Sequence, residues 1–188
     1  FGRPAVLKIV SQDILHKSEA GGVRLNLKTE EEIRTAFDSI IENAGRYRTG
    51  ARIRGCLVSP MSEDGVEVIV GTKEDDQFGP VIMFGIGGIL VEVVRDVSFR
   101  VLPLSEGASM AMIDEIKSAP ILNGVRNLPP VDKEALSRLL LTVSDIVIAY
   151  PEIYEMDLNP VLAHSSGLTI VDARILLREN HSRNGEEG

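Results

Sequence analysis

Two short segments near the end of the chain carry polar side chains whose spacing suits metal binding. Residues 155–162 read EMDLNPVL, and residues 169–175 read TIVDARI. The sequence between them, AHSSGL, has the composition of a turn, so we expect the two segments to pair as a β-hairpin. If that turn is symmetric about its two serines, Asn159 lies opposite Asp172 on the neighbouring strand.

The predicted register gives this hairpin a polar face and an apolar face, because side chains alternate along each strand. The polar face carries Glu155, Asp157, Asn159, Asp172 and Arg174, with Asp157 opposite Arg174. The apolar face, which we expect to be core, carries Met156, Leu158, Leu162, Val171, Ala173 and Ile175. Opposed oxygen donors suit a hard cation such as Mg²⁺, which proteins usually hold with one or two side chains plus substrate phosphates. The alternative is that these polar residues only form the solvent-exposed face of a half-buried hairpin.

A second set of candidate residues lies near the start of the chain, at Lys8 and in the loop that follows. Residues 4–10 are typical of a buried strand, and a lysine in such a strand either extends to water or meets an anion. The loop over residues 11–22 contains His16 and ends in a glycine pair before a strand at residues 23–27. This arrangement suits a phosphate-binding cover that moves on a fixed base, although the P-loop order GxxxxGK[ST] is absent. The alternative for His16 is an ordinary loop histidine.

The remaining sequence supplies the elements that position these residues. Thr29 and Glu32 form a capping box that begins a helix, and strands follow at residues 54–58 and 66–71. In the second strand Glu67 alternates with apolar neighbours, so it points away from the face that they cover. A strand at residues 81–84 runs into the sequence GIGG, where glycines either admit a ligand to the backbone or form a tight turn.

Two more helices complete the prediction, one capped by Ser105 and one with a regular apolar stripe from Leu136 to Val147. Antiparallel hairpins mixed with about three helices favour an α+β fold over a doubly wound one.

Bulk composition limits the classes of function. The chain has 188 residues, which allows one large domain or two small lobes. The net charge of −8 argues against a general nucleic-acid binder. The single cysteine, Cys56, excludes an internal disulfide and fits a cytoplasmic protein. No apolar run approaches the ~20 residues of a membrane span, so we expect no membrane association.

The two ends of the sequence carry expectations of their own. The chain begins FGRP and enters a strand at once, which is typical of a piece of a longer protein. Residues 178–188 are polar and are predicted to form a tail outside the folded domain.

Six motifs together occur in this order in one known family. They are VLKIVS at residues 6–11, DILHKS at residues 13–18 with GGV at residues 21–23, QFGP at residues 77–80, GIGG at residues 85–88, DLNP at residues 157–160 and VDAR at residues 171–174. The chain resembles the ATP-grasp domain of the NDP-forming acyl-CoA synthetases, among them the β subunit of ADP-forming acetate–CoA ligase. The resemblance covers residues 4–177 and implies an ATP-grasp fold over residues 1–177, with mixed, largely antiparallel sheets flanked by helices and without the family's N-terminal segment.

The resemblance also implies a reaction, in which acyl-CoA, ADP and phosphate are converted reversibly to a carboxylic acid, CoA and ATP through an acyl phosphate and a phosphohistidine. It implies Mg²⁺ and ATP or ADP as cofactors, and a CoA-binding α subunit or fused domain as partner in an oligomer. This chain would be active only with those partner domains.

Individual roles follow from the same resemblance. Asn159 and Asp172 match the metal ligands, Lys8 matches the lysine that contacts the nucleotide phosphates, and His16 matches the phosphoryl carrier. Ser59 and Glu67 match the adenine hinge and a ribose or nucleotide contact, and Gly85, Gly87 and Gly88 would close over phosphates. The hinge departs from the family pattern, because an acidic residue is expected near Pro60 and the sequence reads VSPM.

Two other classes of function are compatible with the same residues. One is a non-catalytic regulatory ATP-grasp module, such as those fused to protein acetyltransferases, which would not need a working metal pair or His16. The other is a β chain like that of succinyl-CoA synthetase, against which the loop DILHKS argues. The sequence does not identify the acyl group, because the acyl pocket would lie on other domains.

Overall fold

The computed structural model describes residues 2–88, 96–125 and 128–178. Its strands and helices, in chain order, are β1 (Ala5–Ser11), β2 (Val23–Leu27), α1 (Glu30–Tyr47), β3 (Ile53–Pro60), β4 (Val66–Asp75), β5 (Gly79–Ile86), β6 (Val97–Val101), α2 (Glu106–Glu115), α3 (Ala119–Leu122), α4 (Lys133–Ala149), β7 (Ile153–Ala163), β8 (Leu168–Ile170) and β9 (Ala173–Leu177). The chain divides into two compact units, Phe1–Glu63 and Asp64–Gly188. Every strand pair between these elements is antiparallel, which confirms the predicted α+β class.

The first unit is a three-stranded sheet in the order β2-β1-β3, with α1 packed on one face. The predicted capping box begins α1: the Thr29 hydroxyl accepts from the N–H of Glu32, whose carboxylate accepts from the N–H of Thr29. Leu7 and Ile9 of β1 are 1% exposed and pack in the cluster beneath this helix. Because side chains alternate, Lys8 points to the other face of the sheet.

The second unit is a six-stranded sheet whose core lies against helices on one face. The strand order is β6-β5-β4-β7-β8, and β9 also pairs with β7. The core combines sheet and helix side chains, among them Val68, Val70, Ile82, Phe84, Met112, Leu136 and Leu140. The predicted apolar stripe of α4 is therefore confirmed as core. None of the helices in the described part of the chain has the length and apolar character needed to cross a membrane.

A β-bulge interrupts the pairing of β4 with β7 and corrects the predicted apolar face of the hairpin. Val68 pairs with Val161 and Val70 with Leu158, so β7 has one extra residue at Asn159-Pro160. The bulge shifts the alternation, and the buried residues after it are Val161 and Ala163. The prediction for Leu162 was wrong for this reason, since it is only half-buried.

Three other predicted core residues, Val171, Ala173 and Ile175, are also more exposed than expected. Val171 is half-buried, Ala173 is exposed and the side chain of Ile175 is 50% exposed. The reason is their position in or between β8 and β9, which in the described part of the chain pair only with β7 and so form the outer edge of the sheet. Met156 and Leu158, on the neighbouring inner strand, are buried as predicted.

The predicted C-terminal tail over residues 178–188 is described only at Arg178. This arginine donates from Nε to the carbonyl of Pro151 and lies 3.0 Å from Glu74. The other tail residues lie outside the described residues, as do residues 89–95.

Candidate functional site

The hairpin of the second unit has the predicted register. Asp157 pairs with Arg174, Leu158 pairs with Ala173, and the N–H of Asn159 donates to the carbonyl of Asp172 over 3.1 Å. This bond continues the register of β7 and β9 by one residue, so Asn159 and Asp172 lie opposite each other along the two backbones. Asn159 is exposed and Asp172 is half-buried, on the face away from Leu158 and the core.

Asp132 connects the turn of this hairpin to the start of α4 by hydrogen bonds. The Asp132 carboxylate accepts from the N–H of Ala135 over 2.8 Å, as an N-cap, and from the N–H of Gly167 over 2.9 Å. Its own N–H donates to the carbonyl of His164 over 2.8 Å. The bonds from Gly167 and then Ala135 hold the pKa of the Asp132 carboxyl below its usual range. Asp132 therefore positions the hairpin. This role was not predicted, because Gly167 lies 35 residues away along the chain.

Two further carboxylates of the hairpin face are bound by Arg174. A guanidinium nitrogen of Arg174 lies 2.5 Å from Glu155 and 4.0 Å from Asp157. All three side chains are partly shielded, with 24% to 36% of each exposed. The sequence placed these residues on one face but did not show which carboxylates the arginine would bind.

The donor set at Asn159 and Asp172 fits Mg²⁺. One amide oxygen and one carboxylate are hard ligands, and Mg²⁺ commonly takes one or two such groups and completes its shell with phosphate and water. Among the described residues, no group of three or more His, Cys, Asp and Glu side chains is placed to hold a metal ion. The pair therefore suits a cation that arrives with a phosphate ligand better than one held by protein alone.

Glu67, Gly87 and Gly88 form a second part of the candidate site, on the same sheet. The N–H of Gly87 donates to the carbonyl of Glu67 over 2.6 Å. A Cβ on Gly87 would lie 3.0 Å from the Cβ of Glu67, and a Cβ on Gly88 would lie 3.2 Å from its carboxylate. Gly88 has φ +72°, a backbone conformation that residues other than glycine rarely adopt. The glycines thus let the turn pack directly on Glu67, whose exposed side chain lies on the face away from the core.

The packing of the neighbouring strand explains why residue 85 is a glycine. It lies inside β5, paired with Ile69 and Val97, and a Cβ there would come 2.8 Å from a methyl of Val97 and 2.9 Å from the carbonyl of Asp96. The close approach of β6 accounts for this glycine without a ligand. Its predicted role in nucleotide binding stays a prediction.

The first unit brings Lys8 and Ser59 to one face of its sheet. Lys8 pairs with Leu57, and Ser59 pairs with Val6, two residues before Lys8. Lys8 and Ser59 are therefore diagonal neighbours on the face away from α1, and both are half-buried. This face could receive the phosphate and base ends of a nucleotide.

His16 is exposed in a loop that is anchored on both sides. The imidazole side chain is 63% exposed, with Nδ1 4.0 Å from Glu19. Before it, the Asp13 carboxylate accepts from the N–H of Arg52 over 2.7 Å, and the hydrogen bond from the Arg52 guanidinium lowers the pKa of that carboxyl. After it, the N–H of Gly22 donates to the carbonyl of Lys17 over 2.7 Å.

Two apolar residues of this loop are part of the core of the first unit. Ile14 is 1% exposed and Ala20 is 3% exposed, and both pack in the cluster beneath α1. The loop is thus less free than its polar sequence suggested, and the exposed part is the short stretch that carries His16.

A cavity of about 910 Å³ adjoins the hairpin face in the second unit. Its charged wall includes Asp157 and Arg174, and its apolar wall includes Met83 and Phe99, with Gly71 also in its lining. The residues predicted to bind nucleotide and metal in this unit do not line it. This cavity was not predicted, because its walls come from strands far apart in the chain.

Comparison with known proteins identifies the fold and the family. Residues 1–177 match the ATP-grasp domain family. The β subunit of ADP-forming acetate–CoA ligase I from Pyrococcus furiosus is 48% identical over 177 residues, which are 94% of this chain and 76% of that subunit. ADP-forming acetate–CoA ligase I from Archaeoglobus fulgidus is also 48% identical, over 95% of this chain but 26% of its own length.

Solved structures of acetyl-coenzyme A synthetase 1 from Candidatus Korarchaeum cryptofilum agree with these matches. The complex with coenzyme A and Ca-AMPCP superposes with a TM-score of 0.89 at 51% identity, over 93% of this chain and 76% of that one. A second complex contains coenzyme A and Mg-AMPPCP, with a phosphohistidine segment pointing towards the nucleotide-binding site; its TM-score is 0.78 at 49% identity, over 93% and 76% of the two chains. The chain belongs to the ATP-grasp domain family and, within it, to the β subunits and corresponding domains of the ADP-forming acetate–CoA ligases.

Proposed function

We propose that this chain is the nucleotide- and Mg²⁺-binding part of an ADP-forming acyl-CoA synthetase. The complete enzyme would convert acyl-CoA, ADP and phosphate reversibly to a carboxylic acid, CoA and ATP. The observation that carries the proposal is the register of the hairpin, which opposes Asn159 to Asp172 in a chain that is 48% identical to acetate–CoA ligase subunits. Relatives that are ligases favour this function over a regulatory module.

The two oxygen donors of the hairpin would hold the metal. Mg²⁺ bound by Asn159 and Asp172 would neutralise phosphate charge and align the group that is transferred. Lys8 would add a positive charge that contacts the phosphates. The backbone of Gly87 and Gly88 presents a side-chain-free turn beside Glu67, where a nucleotide can approach closely.

We assign the adenine hinge contact to Ser59 and a ribose or nucleotide contact to Glu67. Ser59 shares a sheet face with Lys8, so the hinge and the phosphate lysine face the same ligand. Without an acidic side chain at the hinge, backbone groups near Ser59 would recognise the base. Gly85 completes the predicted glycine turn, although its packing against β6 already explains it.

His16 is the proposed phosphoryl carrier. A neutral imidazole is a competent nucleophile near pH 7, and its exposure leaves it accessible. Its nitrogen attacks the γ-phosphorus of ATP, the bond to the β-phosphate oxygen breaks, ADP leaves, and the imidazole gives up its proton. Ile14 and Ala20 are buried on either side of His16, so we expect transfer to a distant acceptor to involve local opening of the loop.

The remaining parts of the reaction need a partner. We infer a CoA-binding α subunit or fused domain, because one relative is a subunit and another is a longer single chain. We also infer an oligomeric enzyme that binds neither nucleic acid nor membrane. The lone Cys56 and the absence of any other cysteine suit a reducing cytoplasm. Residues 1–177 would act as one ATP-grasp domain and residues 178–188 as a tail.

Labelling with ATP tests the proposal. The chain, reconstituted with a CoA-binding partner, is incubated with γ-labelled ATP and Mg²⁺, and label that survives alkali but not acid is measured. We expect His16→Ala to abolish this label on the chain while ATP binding remains. The matched control is His164→Ala, because His164 bonds Thr169 over 3.0 Å in the hairpin turn and should carry no phosphate. Unchanged labelling of His16→Ala would contradict the carrier role.

A further inference from the structure

A tight turn brings Glu19 next to His16 in the loop between β1 and β2. The N–H of Ala20 donates to the carbonyl of His16 over 3.1 Å, which closes one turn of helical type. Residues three apart in such a turn lie on the same side of it. Oε1 of Glu19 accordingly lies 4.0 Å from Nδ1 of His16. The carboxylate is therefore a neighbour of one particular nitrogen of the ring.

The base of this turn is held against the rest of the first unit. Ala20 is 3% exposed and packs in the core cluster beneath α1. A Cβ on Gly22 would lie 2.5 Å from a methyl of Ile9, so the chain passes directly over β1. From this base His16 and Glu19 extend outward together, with 63% and 69% of their side chains exposed. The turn thus presents the imidazole and the carboxylate to solvent as a pair.

The position of the carboxylate affects which nitrogen of His16 can attack. An ionised carboxylate only accepts hydrogen bonds, so it favours the tautomer of the neutral ring with the proton on Nδ1. The lone pair is then on Nε2, the nitrogen farther from Glu19. Carboxylates that fix the tautomer and orientation of a histidine in this way recur in catalytic sites. The separation of 4.0 Å is that of an ion pair, and neither side chain is buried, so the two groups can close as the ring becomes charged.

We propose that Glu19 is a positioning residue that directs the phosphoryl group to Nε2 of His16. Nε2 attacks the γ-phosphorus of ATP, the bond from this phosphorus to the bridging oxygen breaks, and ADP leaves with the electron pair. Positive charge develops on the ring, where the proton on Nδ1 faces Glu19, and the ring then releases this proton to water. The inference rests on the proposed function, because it assumes that His16 is the phosphoryl carrier.

The nitrogen that carries the phosphoryl group can be measured directly. The chain is incubated with ATP, Mg²⁺ and a CoA-binding partner, and phosphorus NMR distinguishes the two phosphohistidine isomers. We expect the group on Nε2 in wild type. Glu19→Ala should be phosphorylated roughly fivefold more slowly, because a unit charge 4.0 Å from the ring is lost in a solvated site, and part of its phosphoryl group should lie on Nδ1. Glu19→Asp keeps the carboxylate and should restore the Nε2 isomer.

The matched control is Glu42→Ala, which removes the same charge from an exposed position of α1. Glu42 pairs with Arg46 over 2.6 Å and should leave both the rate and the isomer unchanged. The inference is overturned if wild type carries the group on Nδ1, if Glu19→Ala keeps the wild-type isomer, or if Glu42→Ala changes it as much.

A second measurement decides the role of Glu19 without phosphoryl transfer. Nitrogen NMR of the full chain, at a pH where the imidazole is neutral, shows which ring nitrogen of His16 carries the proton. We expect Nδ1 in wild type and a shift towards Nε2 in Glu19→Ala, and the same tautomer in both would overturn the inference. If wild type forms no phosphohistidine at all, the proposed carrier role fails, and the tautomer still decides whether Glu19 directs the imidazole.

Discussion

The hairpin register allows a charge swap that tests whether Asn159 and Asp172 bind one ion. Asp172→Asn removes the only carboxylate of the pair but keeps the size of the side chain. The double variant Asn159→Asp/Asp172→Asn returns that carboxylate from the opposite strand. Because the two residues face each other across a backbone hydrogen bond of 3.1 Å, the exchanged donor set has the same charge and nearly the same place.

The expected magnitude follows from the exposure of the pair. Asn159 is exposed and Asp172 is half-buried, so the dielectric is close to that of water. Two unit charges 4 Å apart interact by about 1 kcal/mol in water, so a divalent cation and a carboxylate interact by about 2 kcal/mol. This corresponds to roughly 30-fold in affinity. We expect Asp172→Asn to lose about that much affinity for ADP with Mg²⁺, and the double variant to recover most of it.

Isothermal titration of ADP with and without Mg²⁺ measures the effect, and thermal unfolding without ligand checks the fold. Asp145→Asn, on the exposed side of α4, makes the same chemical change away from the hairpin and should have no effect. If the double variant binds as weakly as Asp172→Asn, the two side chains do not share an ion. The assignment of the metal pair would then be refuted, although the register itself would stand.

Three further variants follow from the structure. Lys8→Met should leave the melting temperature of the free chain unchanged but shrink the rise caused by ATP, because ligand binding stabilises the native state. Gly87→Ala should weaken nucleotide binding and cost about 1–3 kcal/mol of stability, since its Cβ would lie 3.0 Å from that of Glu67. Asp132→Asn should lower the urea midpoint at pH 7 but not at low pH. The depressed pKa of Asp132 means that its stabilisation is present above the ordinary value of about 3.9 and is lost as the pH falls through the folded value.

For each of these predictions, one result would contradict it. A much lower melting temperature of free Lys8→Met would show a structural lysine. For Gly87→Ala the control is Gly107→Ala in α2, where an added Cβ meets nothing within 4 Å and should stabilise the helix. If the two variants change the stability of the chain equally, contact with Glu67 is not the cause of the loss. A difference between wild type and Asp132→Asn that does not begin to shrink as the pH falls below about 3.9 would mean that the carboxylate charge does not hold the hairpin turn.

Local sequence signals were sufficient for several features. The capping box at Thr29 and Glu32 involves residues three apart, and the apolar stripe of α4 repeats at helical spacing. The hairpin register followed from a short turn and the alternation of side chains. In each case the interacting groups are close along the chain, so composition and spacing determine the outcome.

The tertiary structure decided the features that depend on distant strands. The bulge at Asn159-Pro160 arises where β7 pairs with β4, about ninety residues earlier, and it alone determines that Val161 is buried in place of Leu162. The same holds for the bond from Gly167 to Asp132 and for the carboxylates that Arg174 binds. Alternation predicts which residues share a face within one strand, but pairing with a distant strand decides which face is buried and which charges meet.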